Sequence, residues 1–373
     1  MSDIDAFVAG FSDDPGYLDF ARVAPVGEAA VAETRAMIDL MSRARFGSLS
    51  TIDDQDARVR EAVASLVRVR PDQVVFQPSA SHAFLQVMFG LTGGVAASSG
   101  EHPAVRYAMS RAAEALGVLV PHTITPEHER VTPGVVRDQL ASSVVAVVVS
   151  LVDHRTGHLV DLDGIRQVIG ERMLIVDAGQ GAGTVDAPWE LADVIVSGGH
   201  TWLRAGLGTG FLALSDRALE QLTPVWSGWP AAGEDPSAME VQAPATDASA
   251  FSAGEADAGA QARLAGAIDA VQSAGVTAIR ELVIERTARI MQVADEAAIE
   301  VVSPRGNAER AGIVTLAPHP ESVSALAASL HNHGVSTTVL DGRVRLSAHV
   351  STSDETLDLL RASFTEFQPL ARG

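Results

Sequence analysis

Short apolar runs alternate with amphipathic segments between residues 55 and 215, and this alternation constrains the fold more than any other feature of the chain. Seven runs have the length and composition of buried strands: 73–76, 94–97, 118–120, 144–150, 173–176, 194–197 and 210–214. Five segments have helical periodicity: 57–69, 81–91, 103–116, 133–141 and 163–169. The pattern predicts an α/β fold with a mostly parallel seven-stranded sheet between two helical layers. Ligands of such sheets bind at the carboxyl ends of the strands.

The remainder of the chain predicts a second, smaller unit. Segment 226–254 is rich in Gly, Pro, Ala, Ser and acidic residues and predicts a long irregular crossing. Residues 256–298 have a helical pattern with a break near 273–275. Short strands and helices alternate after it, with strands at 300–302, 313–316, 335–339 and 343–347 and helices at 320–333 and 354–365. We therefore expect three parts, an N-terminal segment 1–20, a large domain 21–250 and a small α+β domain 251–373.

Composition narrows the range of functions. The 373 residues carry a net charge of −20, which repels nucleic-acid phosphates, so a nucleic-acid partner is not expected. The absence of cysteine excludes disulfides, a cysteine nucleophile and thiolate metal sites. His331 and His333 lack spaced ligand partners, and no metal site is expected. No signal peptide or membrane-spanning run is recognisable, and the prediction is a cytoplasmic protein.

Three motifs occur in a fixed order after the predicted strand at 173–176. Asp177 and Gln180 end that strand, followed by Ser197-Gly-Gly-His-Thr-Trp-Leu203 and then Gly206-Leu-Gly-Thr-Gly-Phe211. The order resembles the class V aminotransferase and cysteine desulfurase family of fold-type I pyridoxal phosphate (PLP) enzymes. Its pattern is V-D-A-x-Q, then S-x-x-H-K-W-L, then G-x-G-F. The H-x-W-L variant is most similar to the branch with isopenicillin N epimerase-like proteins and ergothioneine-pathway C–S lyases.

The resemblance extends over nearly the whole chain. Further matching segments are Tyr17-Leu-Asp19 with Pro25, Phe76-Gln-Pro-Ser-Ala-Ser81, Glu101-His-Pro-Ala-Val105, Ser150 with Thr156-Gly157, and Val344-Arg-Leu-Ser347 with His349. Each of these motifs is weak alone, and the family assignment depends on their common order and spacing.

The resemblance implies a role for each residue around the cofactor ring. Asp177 would meet the pyridine nitrogen and keep it protonated, so that the ring acts as an electron sink. Gln180 would donate to the ring's phenolate oxygen, and His102 would stack on the ring face. The structural alternatives are a helix-capping aspartate, a polar loop residue and a histidine at a helix start.

Other residues would hold the phosphate and the substrate. The first N–H groups of a helix at Ala80 and Ser81 suit a phosphate, although a simple N-cap by Ser79 or Ser81 is the competing explanation. By resemblance, Ser197 and His200 belong to the same cofactor site. Arg345 would bind the substrate carboxylate. Arg22 would lie near the entrance, and its contact with a second acidic group of the substrate stays open.

The chain departs from the family at the reacting centre. It contains no lysine, whereas roughly 7 would be expected even at ~2% usage. Thr201 stands where the family has the lysine that holds the cofactor as a Schiff base, either by natural loss or by deliberate substitution. A hydroxyl cannot form an imine or act as a strong base near neutral pH. Gly198 replaces a phosphate-binding serine, Glu255 replaces a threonine, and His154 stands where asparagine is common. His154 is titratable and could carry a proton.

Three functions therefore stay open, and the expected cofactor is PLP or pyridoxamine phosphate (PMP), held non-covalently if bound. The chain could transform a small amino acid by transamination, C–S cleavage or racemisation. It could instead be a non-catalytic descendant that binds PLP, PMP or another anion, or a partner subunit. In the third possibility PMP brings the nitrogen while His154 or His200 moves the proton. The resemblance also implies a homodimer, with loops near Glu255 of the second copy completing the site.

Overall fold

The computed structural model describes residues 2–43, 45–232 and 240–367. Its α-helices are α1 (Asp3–Ala9), α2 (Glu28–Ser42), α3 (Ser48–Val67), α4 (Ala80–Gly90), α5 (Pro103–Leu116), α6 (Pro133–Gln139), α7 (Leu162–Ile169), α8 (Asp216–Gln221), α9 (Ala258–Ala274), α10 (Val276–Glu296), α11 (Val323–Asn332) and α12 (Asp354–Glu366). Its strands are β1 (Val74–Phe76), β2 (Gly93–Ser98), β3 (Leu119–Ile124), β4 (Val144–Ser150), β5 (Met173–Asp177), β6 (Val194–Gly198), β7 (Gly210–Leu214), β8 (Ile313–Leu316), β9 (Thr338–Leu340) and β10 (Arg343–Ser347).

The large sheet has the strand order β1-β7-β6-β5-β4-β2-β3. Strands β3, β2, β4, β5 and β6 run parallel, whereas β7 is antiparallel to both of its neighbours. The predicted seven-stranded, mostly parallel sheet is therefore confirmed. The register places Ser150 of β4 beside Asp177 of β5, so polar side chains of neighbouring strands meet at one carboxyl edge.

Helices cover both faces of this sheet. Within β4, Val147 and Val149 belong to one core, whereas Ala146 and Val148 belong to the core on the opposite face. Residues of α3, α7 and α9 complete the first core, and residues of α4 and α5 complete the second. A strand buried on both faces needs apolar side chains at consecutive positions, which explains the unbroken apolar run of β4.

A second sheet, with the order β8-β10-β9, is antiparallel and packs with α11 and α12 around its own core. The predicted strand at 300–302 is reduced to a single bridge between Val301 and Leu316. The predicted strand at 335–339 is shifted to β9, because Ser336 pairs with Tyr17 of the N-terminal segment rather than with β10.

Helix α9 packs against α2 and α3 in the core of the large sheet, and α10 connects the two cores. Ile279 and Val283 of α10 lie in the large core, and Ile290 and Met291 lie in the small one. The change of core therefore falls inside α10. The domain limits predicted from the sequence, at residues 20 and 250, stay a prediction.

Part of the predicted irregular crossing, residues 233–239, lies outside the described residues. The described parts of 226–254 contain two short 3₁₀ turns, Trp229–Ala232 and Ala248–Phe251. Across the described ranges, none of the helices combines the length and the apolar character that a membrane crossing requires.

Candidate functional site

Asp177 ends β5 at the carboxyl edge of the large sheet. Its side chain is buried, and Oδ1 accepts a hydrogen bond from the Gly179 amide at 2.9 Å. Burial raises the pKa of Asp177, and the charge of His102 lowers it in part. The carboxylate thus caps the turn that follows the strand, but no helix begins there, so the helix-capping alternative is not what the structure shows. The charge of His102, which the family resemblance places over a ring, acts on the same carboxyl group.

Two imidazoles lie edge to face, and the charge of one of them, His102, acts on this carboxylate. The rings of His102 and His154 have centroids 5.2 Å apart and an interplanar angle of 80°. His102 is exposed at the start of α5, and its Nδ1 accepts the Ala104 amide at 3.2 Å. Burial lowers the pKa of His154 to about 3, so this ring is neutral at physiological pH. Its buried Nδ1 has no hydrogen-bond partner among the residues described, which leaves a polar atom available to a ligand.

Glu101 was not among the predicted site residues, although it lies next to them. Its side chain is 3% exposed, and it accepts a hydrogen bond from the Ser150 hydroxyl. Burial raises the pKa of Glu101 to about 8, and the charges of Asp177 and Asp153 add to this effect. The sequence could have indicated Glu101, because this acidic residue lies between a predicted buried strand and a predicted helix start. It also belongs to the motif in which the resemblance assigns a role to His102 alone.

The first turn of α4 forms the other end of the site. Ser79 caps this helix by accepting the His82 amide at 3.3 Å, so the expected N-cap by Ser79 is present. The amides of Ala80 and Ser81 precede the capped one and belong to the N–H groups that a helix cannot satisfy internally. A helix start of this kind attracts anions.

His200 lies at the same helix start. A Cβ atom built on Gly198 would be 2.9 Å from His200 Nδ1 and 3.9 Å from the Ala80 nitrogen. The ring therefore lies over Gly198, and a serine at that position would displace it. Burial lowers the pKa of His200, and the charge of His102 lowers it further. Ser197 is fully buried, and its hydroxyl donates to the Gly198 carbonyl at 3.1 Å.

Thr201 and Gln180 connect the loops that follow β5 and β6. The buried Thr201 hydroxyl donates to the Gly179 carbonyl at 2.7 Å. The Gln180 amide nitrogen donates to the Ala21 carbonyl at 2.9 Å, and its oxygen accepts Trp202 Nε1 at 2.9 Å. One N–H of Gln180 is thus used inside the protein, and the second is the one that could reach a ligand.

Arg345 connects the small sheet with the site. It is buried on β10, and Nη1 donates to the His154 carbonyl at 2.8 Å. Its Nη2 lies 3.6 Å from Asp19 Oδ1, and Asp19 also accepts the Thr338 hydroxyl at 2.8 Å. Burial lowers the pKa of Arg345, and Asp19 counteracts this. Arg22 is exposed, and its charge acts on both Asp19 and Arg345.

Several of the predicted residues are therefore grouped in two places, whereas Thr201 and Gln180 connect the loops after β5 and β6. His102 and His154 lie with Asp177, and Ala80 lies with His200 at the start of α4. Arg345 joins the first group through the His154 carbonyl. Glu255 lies exposed in the loop before α9.

A family model described as Aminotransferase class-V matches residues 30–368. The complex of the cystine C–S lyase C-DES with its product cysteine persulfide is similar in structure, with a TM-score of 0.86 and 19% identity over 95% of this chain and 98% of that chain. A C-DES mutant with glycine covalently linked to the PLP cofactor gives a TM-score of 0.86 and 18% identity over 95% and 97%.

The apo cysteine desulfurase from Thermococcus onnurineus NA1 gives a TM-score of 0.82 and 18% identity over 92% of each chain. No curated protein sequence matches the chain. At these identities the solved structures establish the fold, and the predicted fold-type I architecture is confirmed. With a family model that spans residues 30–368, the chain belongs to the class-V aminotransferase family.

Proposed function

We propose that this chain binds PLP or PMP non-covalently and uses it to transform a small amino acid. The observation that carries the proposal is that three groups complementary to the cofactor lie at the carboxyl edge of the large sheet. A buried carboxylate, Asp177, lies with the imidazole pair of His102 and His154, and the anion-attracting start of α4 lies under His200.

These residues fit the cofactor. Asp177 has the burial that a pyridinium partner requires, since a buried carboxylate is stabilised by a cation placed against it. The unpartnered Nδ1 of His154 offers a polar contact, and the first amides of α4 suit a phosphate. When bound, the cofactor supplies an electron sink for charge that develops at the amino-acid carbon.

The chain's own side chains would bind, orient and move protons. Arg345, buried beside the His154 carbonyl, would bind the substrate carboxylate, and exposed Arg22 would lie at the entrance. Thr201 cannot replace the lysine base, and its hydroxyl is bonded to the Gly179 carbonyl. Proton transfer would then involve His154 or His200; burial lowers the pKa of both rings, which favours their neutral form and also makes them weak proton acceptors.

A homodimer is part of the same proposal. Large apolar side chains of α2, α3 and the turn between them are exposed, namely Ile38, Met41, Phe46 and Leu49. Trp229, also exposed, lies in the described part of the crossing after β7. Exposed large apolar side chains are typical of a protein interface where they form one contiguous patch. The finer branch, near the isopenicillin N epimerase-like proteins, also stays a proposal.

A second candidate is a binding protein without catalysis. The Thr201 hydroxyl and both ends of the Gln180 amide are engaged in contacts within the protein. Glu255 and Gly198 also replace residues that would hold a phosphate in the family. A pocket with these features could keep PLP, PMP or another anion without turning a substrate over.

An absorbance titration with PLP, repeated with a panel of L-amino acids, tests both candidates. Saturable binding followed by a spectral change with one amino acid supports the enzyme. Saturable binding without any such change supports the binding protein. Asp177→Asn is expected to weaken PLP binding at least about ten-fold, because a neutral amide attracts a pyridinium less strongly. The matched control Asp186→Asn alters an exposed aspartate that pairs with Arg68 and should leave binding unchanged. No saturable binding of either PLP or PMP by the unaltered chain would refute the enzyme, and it would also refute a binding protein for this cofactor.

A further inference from the structure

Glu101 is a buried acid that the proposed function does not use. It directly precedes the N-cap of α5, and its side chain points against the end of β4. The Ser150 hydroxyl donates to one carboxyl oxygen, and the Ser150 amide lies 3.4 Å from the other. Ser150 is in turn the residue paired with Asp177 across β4 and β5. A single residue therefore separates the two buried carboxyl groups.

The charged groups around Glu101 provide no counterion for it. Arg106 donates to its backbone carbonyl at 3.0 Å rather than to its carboxyl group. The Arg155 guanidinium lies near Gly100 but pairs with Asp153 Oδ2 at 3.0 Å. Across the described ranges, no arginine or histidine forms an ion pair with Glu101.

The remaining neighbours favour a neutral acid. Asp177 from β5 and Asp153 from the loop after β4 both raise the pKa of Glu101, and burial has the largest effect. His102, the N-cap of α5, follows Glu101 directly in the chain. A buried carboxylate with hydrogen bonds from one serine and no paired cation is costly, and two close carboxyl groups cannot both ionise easily.

The geometry points to Glu101 as a positioning residue for Asp177: a neutral acid that holds Ser150 beside Asp177 and leaves the negative charge of the site on Asp177 alone. The inference rests on the proposed cofactor site. Glu101 would touch neither the cofactor nor the substrate, and it would act through the placement and the charge of Asp177.

The protonation state of Glu101 should affect how tightly the ligand binds. A protonated pyridine nitrogen at Asp177 would add a positive charge near Glu101 and lower its pKa. The ionised form of Glu101 would then bind the ligand more tightly than the protonated form, by linkage. Glutamine at this position keeps the size and a hydrogen-bond acceptor but cannot ionise.

The test measures the dissociation constant of PMP by fluorescence for the unaltered chain and for Glu101→Gln. The dissociation constant of the unaltered chain, divided by that of Glu101→Gln, is expected to fall about three-fold or more between about pH 6.5 and 9. A fall of this size corresponds to a decrease of about half a unit in the pKa of Glu101 on binding. Ser150→Ala should move this fall to higher pH, because the serine hydrogen bond lowers the pKa of Glu101. A purely structural role for Glu101 predicts a ratio that does not change with pH, and this result would overturn the inference.

Infrared spectra of the chain without ligand separate this inference from the proposed function. A protonated carboxyl band should be present at neutral pH, disappear as pH rises through about 8, and be missing in Glu101→Gln. If no variant binds PMP or PLP, the proposed function fails, and the infrared band alone decides the charge state of Glu101. If that band is missing in the unaltered chain, the inference fails even where PMP binds.

Discussion

Replacing Glu101 by glutamine should change how the stability of the folded chain depends on pH. Burial raises the pKa of Glu101 in the folded protein to about 8 from an ordinary value of 4.5. Between these two values the folded chain keeps a proton that the unfolded chain has released. Unfolding therefore releases a proton, and the free energy of unfolding falls as pH rises through this window. The gap corresponds to about 5 kcal/mol at about 1.36 kcal/mol per pKa unit.

Glutamine removes this dependence, because it does not titrate. Urea unfolding of both proteins should show that Glu101→Gln gains about 3 kcal/mol relative to the unaltered chain between about pH 5.5 and 8. Changed hydrogen bonds to Ser150 would add an offset that is independent of pH. Glu114→Gln is the matched control, because Arg111 and Ser110 lower the pKa of this exposed side chain. Its effect should be flat over the window. A flat difference for Glu101→Gln as well would refute the argument that Glu101 is buried as a neutral acid.

Three further outcomes follow from the site and its supports. Thr201→Lys should give a visible absorbance band with PLP, and a colourless, cofactor-free protein would contradict an intact pocket. Asp13→Ala should lower the free energy of unfolding by about 3–5 kcal/mol in urea titrations, because it leaves the buried guanidinium of Arg204 without its carboxylate; a loss below about 1 kcal/mol would contradict this. Arg345→Lys should raise, by about ten-fold or more, the amino-acid concentration that half-saturates the spectral change, and PLP binding should stay unchanged. Substitution of the exposed Arg22 by lysine should have a smaller effect.

The large sheet could be predicted from the sequence because its strands are covered on both faces. A continuous apolar run such as β4 or β5 needs cover on both faces, and in a chain with alternating helices the interior of a parallel sheet provides it. Helix α2 was missed for the opposite reason. Only Ala30 and Met37 of its residues are buried, so its apolar stripe is too thin to be recognised.

The site was predictable only where a motif assigned a role to a residue. His102 and Asp177 were predicted in this way, and the structure has Asp177 at the end of the buried strand β5, while the roles of both residues stay a prediction. Glu101 was not found, because its importance comes from burial and from the neighbouring Ser150 of another strand. No periodicity or spacing within one segment contains that information, since it depends on how β2 and β4 are placed next to each other.

Thr201 and Glu101 together bear on whether the pocket is still adapted to a cofactor. If Thr201 were the result of a loss of function, nothing would maintain buried polar groups around it that bear the cost of burial without a partner. The Thr201 hydroxyl is satisfied by the Gly179 carbonyl, but among the residues that the structure describes Nδ1 of His154 has no hydrogen-bond partner and Glu101 has no counterion. Such groups destabilise an empty pocket and are stabilised when a ligand supplies the missing hydrogen bond and positive charge. This favours a chain that still binds a ring with a protonated nitrogen, with Thr201 serving the loop rather than the chemistry.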